Sequence, residues 1–168
     1  GNTHLEYYFA PMEGVTGAEY RAVHHRHFPG VDRYYMPFIT PTQDRVFTPR
    51  ELRNISPERN AGYRTVPQLL TKNAGDFNWA AGELFAMGYD EVDLNLGCPS
   101  GTVTAKGKGA GMLADLEGLD RFLDGIFSAA RGKISVKTRL GLRDPEEIFP
   151  LVERFARYPI SLLILHPR

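Results

Sequence analysis

The stretch Glu91-Val92-Asp93-Leu94-Asn95-Leu96-Gly97-Cys98-Pro99 decides how the rest of this 168-residue sequence is interpreted. Its apolar residues predict a short strand that runs to Asn95 and breaks at Gly97. Asn95 and Cys98 are therefore expected together at the C-terminal end of a strand, where α/β folds place their chemistry. Pro99 cannot continue a strand and disfavours a helical backbone at Cys98, so the thiol is predicted on a constrained turn.

Cys98 has two interpretations. A lone cysteine is commonly a small buried hydrophobe, which would give it no part in the chemistry. Its neighbours Asn95, Gly97 and Pro99 are poor core formers, and together they are typical of a strand-end loop that carries function. We therefore favour a positioned thiol that acts as an acid or a nucleophile.

The composition predicts a globular chain with a real core, because 42% of the residues are apolar and 24% are charged. No run approaches the ~20 apolar residues of a spanning helix and no secretory signal is visible, so we expect a cytoplasmic protein without a membrane partner. The single cysteine excludes an internal disulfide framework. The 20 basic and 20 acidic residues cancel, so net charge gives no indication of nucleic-acid binding.

Six predicted strands alternate with predicted helices along the sequence. The strands are expected at residues 5–10, 32–39, 65–70, 91–95, 134–139 and 161–165. The helices are expected at 16–27, 48–52, 73–88 and 115–130, with a further one opening at 144–147. This order predicts parallel βαβ units of an α/β fold, a TIM barrel. Since a complete barrel takes ~250 residues, we expect about six of its eight βα units, with an unpaired edge beyond the sixth strand.

Several predicted strands carry polar side chains near their ends. Gln68 interrupts an apolar run, so it needs a partner, which is either backbone or a ligand. Its neighbour Pro67 predicts an irregular or edge strand. Lys137 is costly to bury unless it meets an anion, which makes it a candidate ligand contact. The predicted ring of strand-end ligand contacts consists of Met12, Gln68, Asn95, Lys137 and His166.

Two further patterns are weak indications of a metal site and of a phosphate-binding loop. His24, His25 and His27 do not share one helix face and have no acidic or cysteine partner nearby, so a solvated helix end is favoured over a metal site. The glycine-rich basic loop at residues 100–111 lacks the spacing of a P-loop or a dinucleotide fingerprint. We therefore expect no metal and no P-loop.

Five motifs in this sequence, in matching order, resemble the tRNA-dihydrouridine synthases. They are Ala10-Pro11-Met12-Glu13-Gly14-Val15-Thr16, Val66-Pro67-Gln68-Leu69, Asp93-Leu94-Asn95-Leu96-Gly97-Cys98-Pro99, Val136-Lys137-Thr138-Arg139 and His166-Pro167-Arg168. The resemblance implies an FMN-binding TIM barrel followed by a helical tRNA-binding domain. Residues 1–168 would be the N-terminal portion of that barrel, without its last strands and without the helical domain. The implied reaction is reduction of the C5–C6 double bond of particular uridines in tRNA, with NADPH as reductant.

The resemblance also implies roles for single residues. Cys98 would protonate C5 of the uracil from the face opposite the flavin. A thiol suits this task, because at a reference pKa of ~8.5 it holds its proton at neutral pH and releases it to a carbanion. The implied FMN contacts are Pro11, Met12, Glu13, Gln68, Lys137 and His166. The implied substrate contacts are Asn95, which could also touch the flavin, Lys106 and Arg139. The target base must leave its stack to reach the flavin.

Two alternative functions compete with this interpretation. An FMN barrel acting on a free pyrimidine, such as a dihydroorotate or dihydropyrimidine dehydrogenase, shares a strand-end asparagine followed by Cys-Pro. Gly97 and the opening motif at residues 10–16 favour the tRNA enzyme. The other alternative is a flavin-free RNA-binding relic. The sequence leaves open which uridines are modified, the choice between NADPH and NADH, the oligomeric state, and whether these residues alone bind FMN or tRNA.

Overall fold

The computed structural model describes residues 7–9, 33–56, 64–97, 115–139, 146 and 148–166. The strands in this part of the chain are β1 (Tyr7–Phe9), β2 (Arg33–Ile39), β3 (Arg64–Leu70), β4 (Glu91–Asn95), β5 (Lys133–Arg139) and β6 (Leu163–His166). The helices are α1 (Pro49–Asn54), α2 (Ala74–Ala86), α3 (Leu116–Phe127) and α4 (Ile148–Phe155). All six predicted strands are confirmed, and α4 begins a few residues later than predicted. The helix expected at 16–27 lies outside the described residues.

The six strands form one parallel sheet in the order β1-β6-β5-β4-β3-β2, which confirms the parallel α/β prediction. The edge beyond β6 was expected to be unpaired, and this is wrong. β1 lies along that edge, with Tyr8 opposite Ile164, because a row of free N–H and C=O groups is satisfied when another strand adds to it. β1 and β2 occupy the two ends of the strand order, so the described pairings do not close a barrel.

An irregular pairing between β2 and β3 accommodates two prolines. Tyr35 lies opposite Val66 and Phe38 lies opposite Gln68, so two residues of β2 face the single Pro67 of β3. This is the arrangement of a β-bulge, which removes the ladder bond that proline cannot donate. The prediction of an irregular strand at Pro67 is confirmed. The alternative of an edge position is wrong, because β3 lies between β2 and β4.

The helices begin at residues whose side chains cap them. The Thr48 hydroxyl accepts a bond from the Glu51 backbone N–H at 3.1 Å, and the Glu51 carboxylate accepts one from the Thr48 N–H at 2.8 Å, which completes a capping box. Asn73 caps α2 through a 2.8 Å bond from the Asp76 N–H. Asp115 caps α3 in the same way. Local chemistry therefore fixes where these helices start.

The hydrophobic core lies between the helices and one face of the sheet. The helices contribute Phe77, Ala80, Ala81, Leu84, Leu119, Phe122, Leu123, Ile126, Ile148 and Phe155, all buried. The sheet contributes alternate residues of its central strands, among them Val92, Leu94, Leu96, Ile134, Val136, Leu163 and Leu165. Because side chains alternate across a strand, the residues between these positions face the other way. That opposite face carries the polar groups described below.

The polar face of the sheet is its concave face. The amine of Lys137 on β5 lies 4.6 Å from the centre of the Tyr35 ring on β2, although two strands separate them. In a flat sheet, strands three places apart are about 14 Å from each other and their side chains stand parallel, so this contact requires the sheet to curl. The curvature brings polar side chains of distant strands together. No helix in the described part of the chain is long and apolar enough to cross a membrane.

Candidate active site

Strand register brings five of the predicted site residues onto the concave face. Asn95 is paired with Lys137 across β4 and β5, and His166 is paired with Arg139 across β5 and β6. Gln68 on β3 is paired with Asp93, which lies two residues before Asn95 on β4. Since the strands are parallel, these residues gather toward the same, C-terminal, end of the sheet. The predicted site residues Pro11, Met12, Glu13, Cys98 and Lys106 lie outside the described residues.

A chain of amide hydrogen bonds crosses this end of the sheet. The Gln68 side chain is 7% exposed, and its Nε2 donates to the backbone carbonyl of Met36 inside the β2 bulge. The Gln68 Oε1 accepts from Asn95 Nδ2 at 3.4 Å. The expected partner of Gln68 is therefore found, and it is backbone together with a second site residue. Among the described residues, each amide nitrogen makes one hydrogen bond, which leaves a second N–H with which to bind a ligand.

The last hydrogen bond of this chain lies at the C-terminal end of β4. Asn95 Oδ1 accepts a 2.8 Å bond from the Gly97 N–H, which forms a local turn directly after β4. Gly97 has a φ of 96°, a backbone conformation that suits glycine. The predicted break of the strand at Gly97 is confirmed, and Cys98 is the next residue in the sequence.

Lys137 is the cation at the centre of the concave face. Burial lowers the pKa of its amine, the carboxylate of Asp93 raises it, and the positive charge of Arg139 lowers it again. The ring of Tyr35 adds a cation–π contact to the same amine. The sequence predicted that this lysine would meet an anion, and Asp93 supplies the nearby negative charge.

Asp93 is a buried carboxylate that sequence reasoning missed. It is fully buried, and its Oδ1 accepts a 2.8 Å bond from the Ser135 hydroxyl. Its Oδ2 is buried without a hydrogen-bond partner among the described residues. Burial raises the pKa of Asp93 to about 7, against the lowering effects of Lys137 and Ser135, and Glu91 raises it further. The available signal was the strict alternation of polar residues 91, 93 and 95 with apolar residues 92, 94 and 96.

His166 and Arg139 extend the positive side of the site. Burial lowers the pKa of the His166 imidazole, and the charges of Lys137 and Arg139 lower it further. His166 is therefore held toward its neutral form, in which one ring nitrogen donates and the other accepts a hydrogen bond. Arg139 is exposed at the end of β5. An exposed guanidinium at the rim suits contact with a large anionic molecule.

The raised pKa of Asp93 predicts a specific pH dependence of stability. The folded protein holds this proton up to about pH 7, while the unfolded chain releases it near the ordinary pKa of 3.8, so folding is disfavoured progressively between those values. The difference corresponds to at most ~4 kcal/mol. Asp93→Asn should remove this loss. Urea unfolding at about pH 5 and about pH 8 would measure it: the wild type should lose stability relative to the variant at the higher pH, and parallel curves would contradict the assignment.

The groups on the concave face fit the polar edge of a flavin ring. Two side-chain amides with spare N–H donors and one lysine ammonium converge there, and the oxygens and nitrogens of an isoalloxazine edge accept such bonds. The described residues that could hold such a ring are thus Gln68, Asn95, Lys137 and His166. Within the described ranges, no group of three or more His, Cys, Asp or Glu side chains is placed to bind a metal ion.

A parallel α/β sheet with amide, ammonium and imidazole groups at the C-terminal ends of adjacent strands defines a class of protein that binds its ligand at those strand ends. The chain belongs to the dihydrouridine synthase (Dus) family, whose model matches residues 8–168.

Curated relatives cover nearly the whole chain. A probable tRNA-dihydrouridine synthase 1 of Synechocystis sp. is 28% identical over 161 residues, 95% of this chain and 44% of the relative. A tRNA-dihydrouridine(16) synthase of Ralstonia nicotianae is 30% identical over 167 residues, 95% of this chain and 51% of the relative. The enzyme of the same name from Escherichia coli strain K12 is 36% identical over 104 residues, 61% of this chain and 31% of the relative. The chain thus spans about half the length of the first two relatives.

Proposed function

We propose that this protein is an FMN-dependent tRNA-dihydrouridine synthase, which reduces the C5–C6 double bond of particular uridines in tRNA with NADPH as reductant, in the cytoplasm. Membership of the Dus family and the names of the relatives support the reaction and the tRNA substrate. The observation that carries the proposal is that Gln68, Asn95 and Lys137 lie together on the concave face at the strand ends. Asn95 lies three residues before Cys98 in the sequence.

We further propose that the chain is the N-terminal portion, about six βα units, of a TIM barrel. The parallel order from β2 to β6, the intervening helices and the curl that joins Lys137 to Tyr35 support a barrel wall. The remaining strands and a helical tRNA-binding domain would correspond to the half of the relatives that this chain does not match.

Lys137 is assigned the electrostatic part of the mechanism. The chemistry that FMN would supply when bound is the transfer of a hydride, derived from NADPH, to C6 of the uracil. The Lys137 ammonium would bind the polar edge of the flavin and stabilise negative charge there. Because this amine is largely removed from water, its charge acts in a medium of low dielectric constant and its effect is larger than that of a surface lysine. Gln68 would donate its spare N–H to the same polar edge.

The remaining residues would bind and protonate the substrate. Cys98 would donate its proton to C5 of the uracil from the face opposite the flavin, and Asn95 would position the base or the flavin. Lys106 and Arg139 would contact the RNA, because positively charged side chains bind its phosphate groups. His166 and the segment Pro11, Met12 and Glu13 would complete the flavin site.

Two measurements on the protein as it exists in the cell test the proposal. Mass spectrometry of tRNA from a strain lacking the gene should reveal the loss of specific dihydrouridines, and the purified protein should carry flavin absorbance. Unchanged dihydrouridine together with turnover of a free dihydropyrimidine would identify a free-pyrimidine dehydrogenase instead. A protein without any flavin absorbance would support the RNA-binding relic.

Removing the central cation should weaken flavin binding. Lys137→Met keeps most of the side-chain volume but loses the charged donor, and a hydrogen bond to a charged group contributes about 1.5–3 kcal/mol. FMN affinity should therefore fall by roughly 10- to 100-fold, as measured by quenching of flavin fluorescence. Lys133→Met is the matched control, because Lys133 lies at the exposed start of the same strand. Equal affinities in the two variants would contradict the role of Lys137.

A further inference from the structure

Asp93 has no part in the reaction proposed above, yet it is fully buried on the concave face. It is 0% exposed, and one carboxylate oxygen is held by the Ser135 hydroxyl at 2.8 Å. The other oxygen has no hydrogen-bond partner among the described residues. A buried ionised carboxylate in this state is costly unless a cation balances it. The question is therefore which cation does so.

Strand register identifies the cation. Asp93 is paired with Ser135 and Asn95 is paired with Lys137, so Lys137 is the diagonal neighbour of Asp93 on the same face, two residues further along β5. Diagonal neighbours of this kind are within reach of a long side chain. The two groups affect each other electrostatically in both directions, since Asp93 raises the pKa of Lys137 and Lys137 lowers the pKa of Asp93.

We propose that Asp93 is a positioning residue that acts through Lys137, keeping its amine charged on the concave face so that the amine can bind the polar edge of the flavin. The diagonal placement of Asp93 and Lys137 on one face follows from the strand register. The consequence for the flavin rests on the proposed function. The Ser135 hydroxyl stabilises the ionised form of Asp93 and so belongs to the same device.

The other charged groups that face this pair do not replace Asp93. Arg139 on β5 adds positive charge, which lowers the pKa of Lys137, and the imidazole of His166 on β6 is held toward its neutral form. Glu91 on β4 lies on the same face as Asp93 and is also buried, but its carboxylate accepts a 2.9 Å bond from the Ser161 hydroxyl and does not raise the pKa of Lys137. Tyr35 contributes its ring face to the Lys137 amine. Glu91 is thus a matched control on the same strand.

The test compares Asp93→Asn with Glu91→Gln in the flavin-free protein. NMR of isotope-labelled lysine side chains gives the pKa of the Lys137 amine, with its signal assigned by its loss in Lys137→Met. We expect this pKa to fall in Asp93→Asn and to stay unchanged in Glu91→Gln. Destabilisation alone does not shift the pKa of one amine, so the measurement separates positioning from a structural role. Should Asp93→Asn not fold, Ser135→Ala should give a smaller fall in the same direction.

The second measurement is FMN affinity as a function of pH. Binding that needs a charged Lys137 is lost at high pH, and the midpoint of that loss should move to lower pH in Asp93→Asn by the same amount as the amine pKa. An unchanged Lys137 pKa in Asp93→Asn, or an equal fall in Glu91→Gln, overturns the proposal. If the wild type binds no FMN at any pH, the proposed function fails, while the amine titration still decides whether Asp93 controls Lys137.

Discussion

Cys98→Ala is expected to slow dihydrouridine formation by a factor of roughly 10² to 10⁴, the usual contribution of a positioned general acid. Alanine has no proton to give to C5 of the uracil. Cys98 is the one cysteine in these 168 residues, so no other thiol among them could replace it. Flavin binding and flavin reduction by NADPH should be retained, since neither step needs this proton. Single-turnover formation of dihydrouridine in tRNA and bleaching of the flavin absorbance by NADPH would measure the two effects separately.

The control for this experiment is Cys98→Ser, which keeps the size of the side chain but replaces the thiol by a far weaker acid. It should resemble the alanine variant in rate and the wild type in flavin content. Normal dihydrouridine formation in Cys98→Ala would remove Cys98 from the mechanism. Loss of flavin from both variants would instead mean that the cysteine is structural.

Phe77→Ala is expected to destabilise the protein by about 3–5 kcal/mol, the cost of truncating a fully buried phenylalanine. Phe77 is 0% exposed on α2 and belongs to the core that supports the back of the sheet. The loss combines the transfer free energy of the ring with the cavity left behind, because α2 is held by its neighbours and cannot collapse onto the space. Urea unfolding monitored by circular dichroism would measure it.

Phe149→Ala provides the matched control for the core substitution. Phe149 lies on α4 and is 62% exposed, so the same chemical change should alter stability by no more than about 0.5 kcal/mol. Similar losses in the two variants would contradict the placement of the core between the helices and the sheet.

Local sequence chemistry predicted the elements and much of the site. Caps such as Thr48 and breakers such as Gly97 act over a few residues, so their effects can be read from short windows. The gathering of Gln68, Asn95, Lys137 and His166 followed from one rule, that parallel strands present their C-terminal ends at one edge. These predictions did not require knowledge of any individual contact.

The features that sequence reasoning missed depend on register and curvature. Asp93 lies opposite Ser135 and diagonally from Lys137 only because β4 and β5 align in one register, which no short window specifies. The contact between Lys137 and Tyr35 depends on the curvature of the sheet between β5 and β2, which are three places apart in the strand order. The pairing of β1 with β6 joins segments at opposite ends of the chain. Tertiary packing decides such contacts, whereas local propensity decides the elements.

The bulge in β2 dictates the chemical type of residue 68. It presents the Met36 carbonyl, which can only accept a hydrogen bond, and the far end of the chain of bonds is the Gly97 N–H, which can only donate one. Two side chains in series between such ends must each offer a donor on one side and an acceptor on the other. A glutamate at position 68 would set oxygen against oxygen unless it carried a proton. The polarity of the backbone at both ends therefore requires side chains that both donate and accept, as primary amides do, and it fixes which way each of these two amides points.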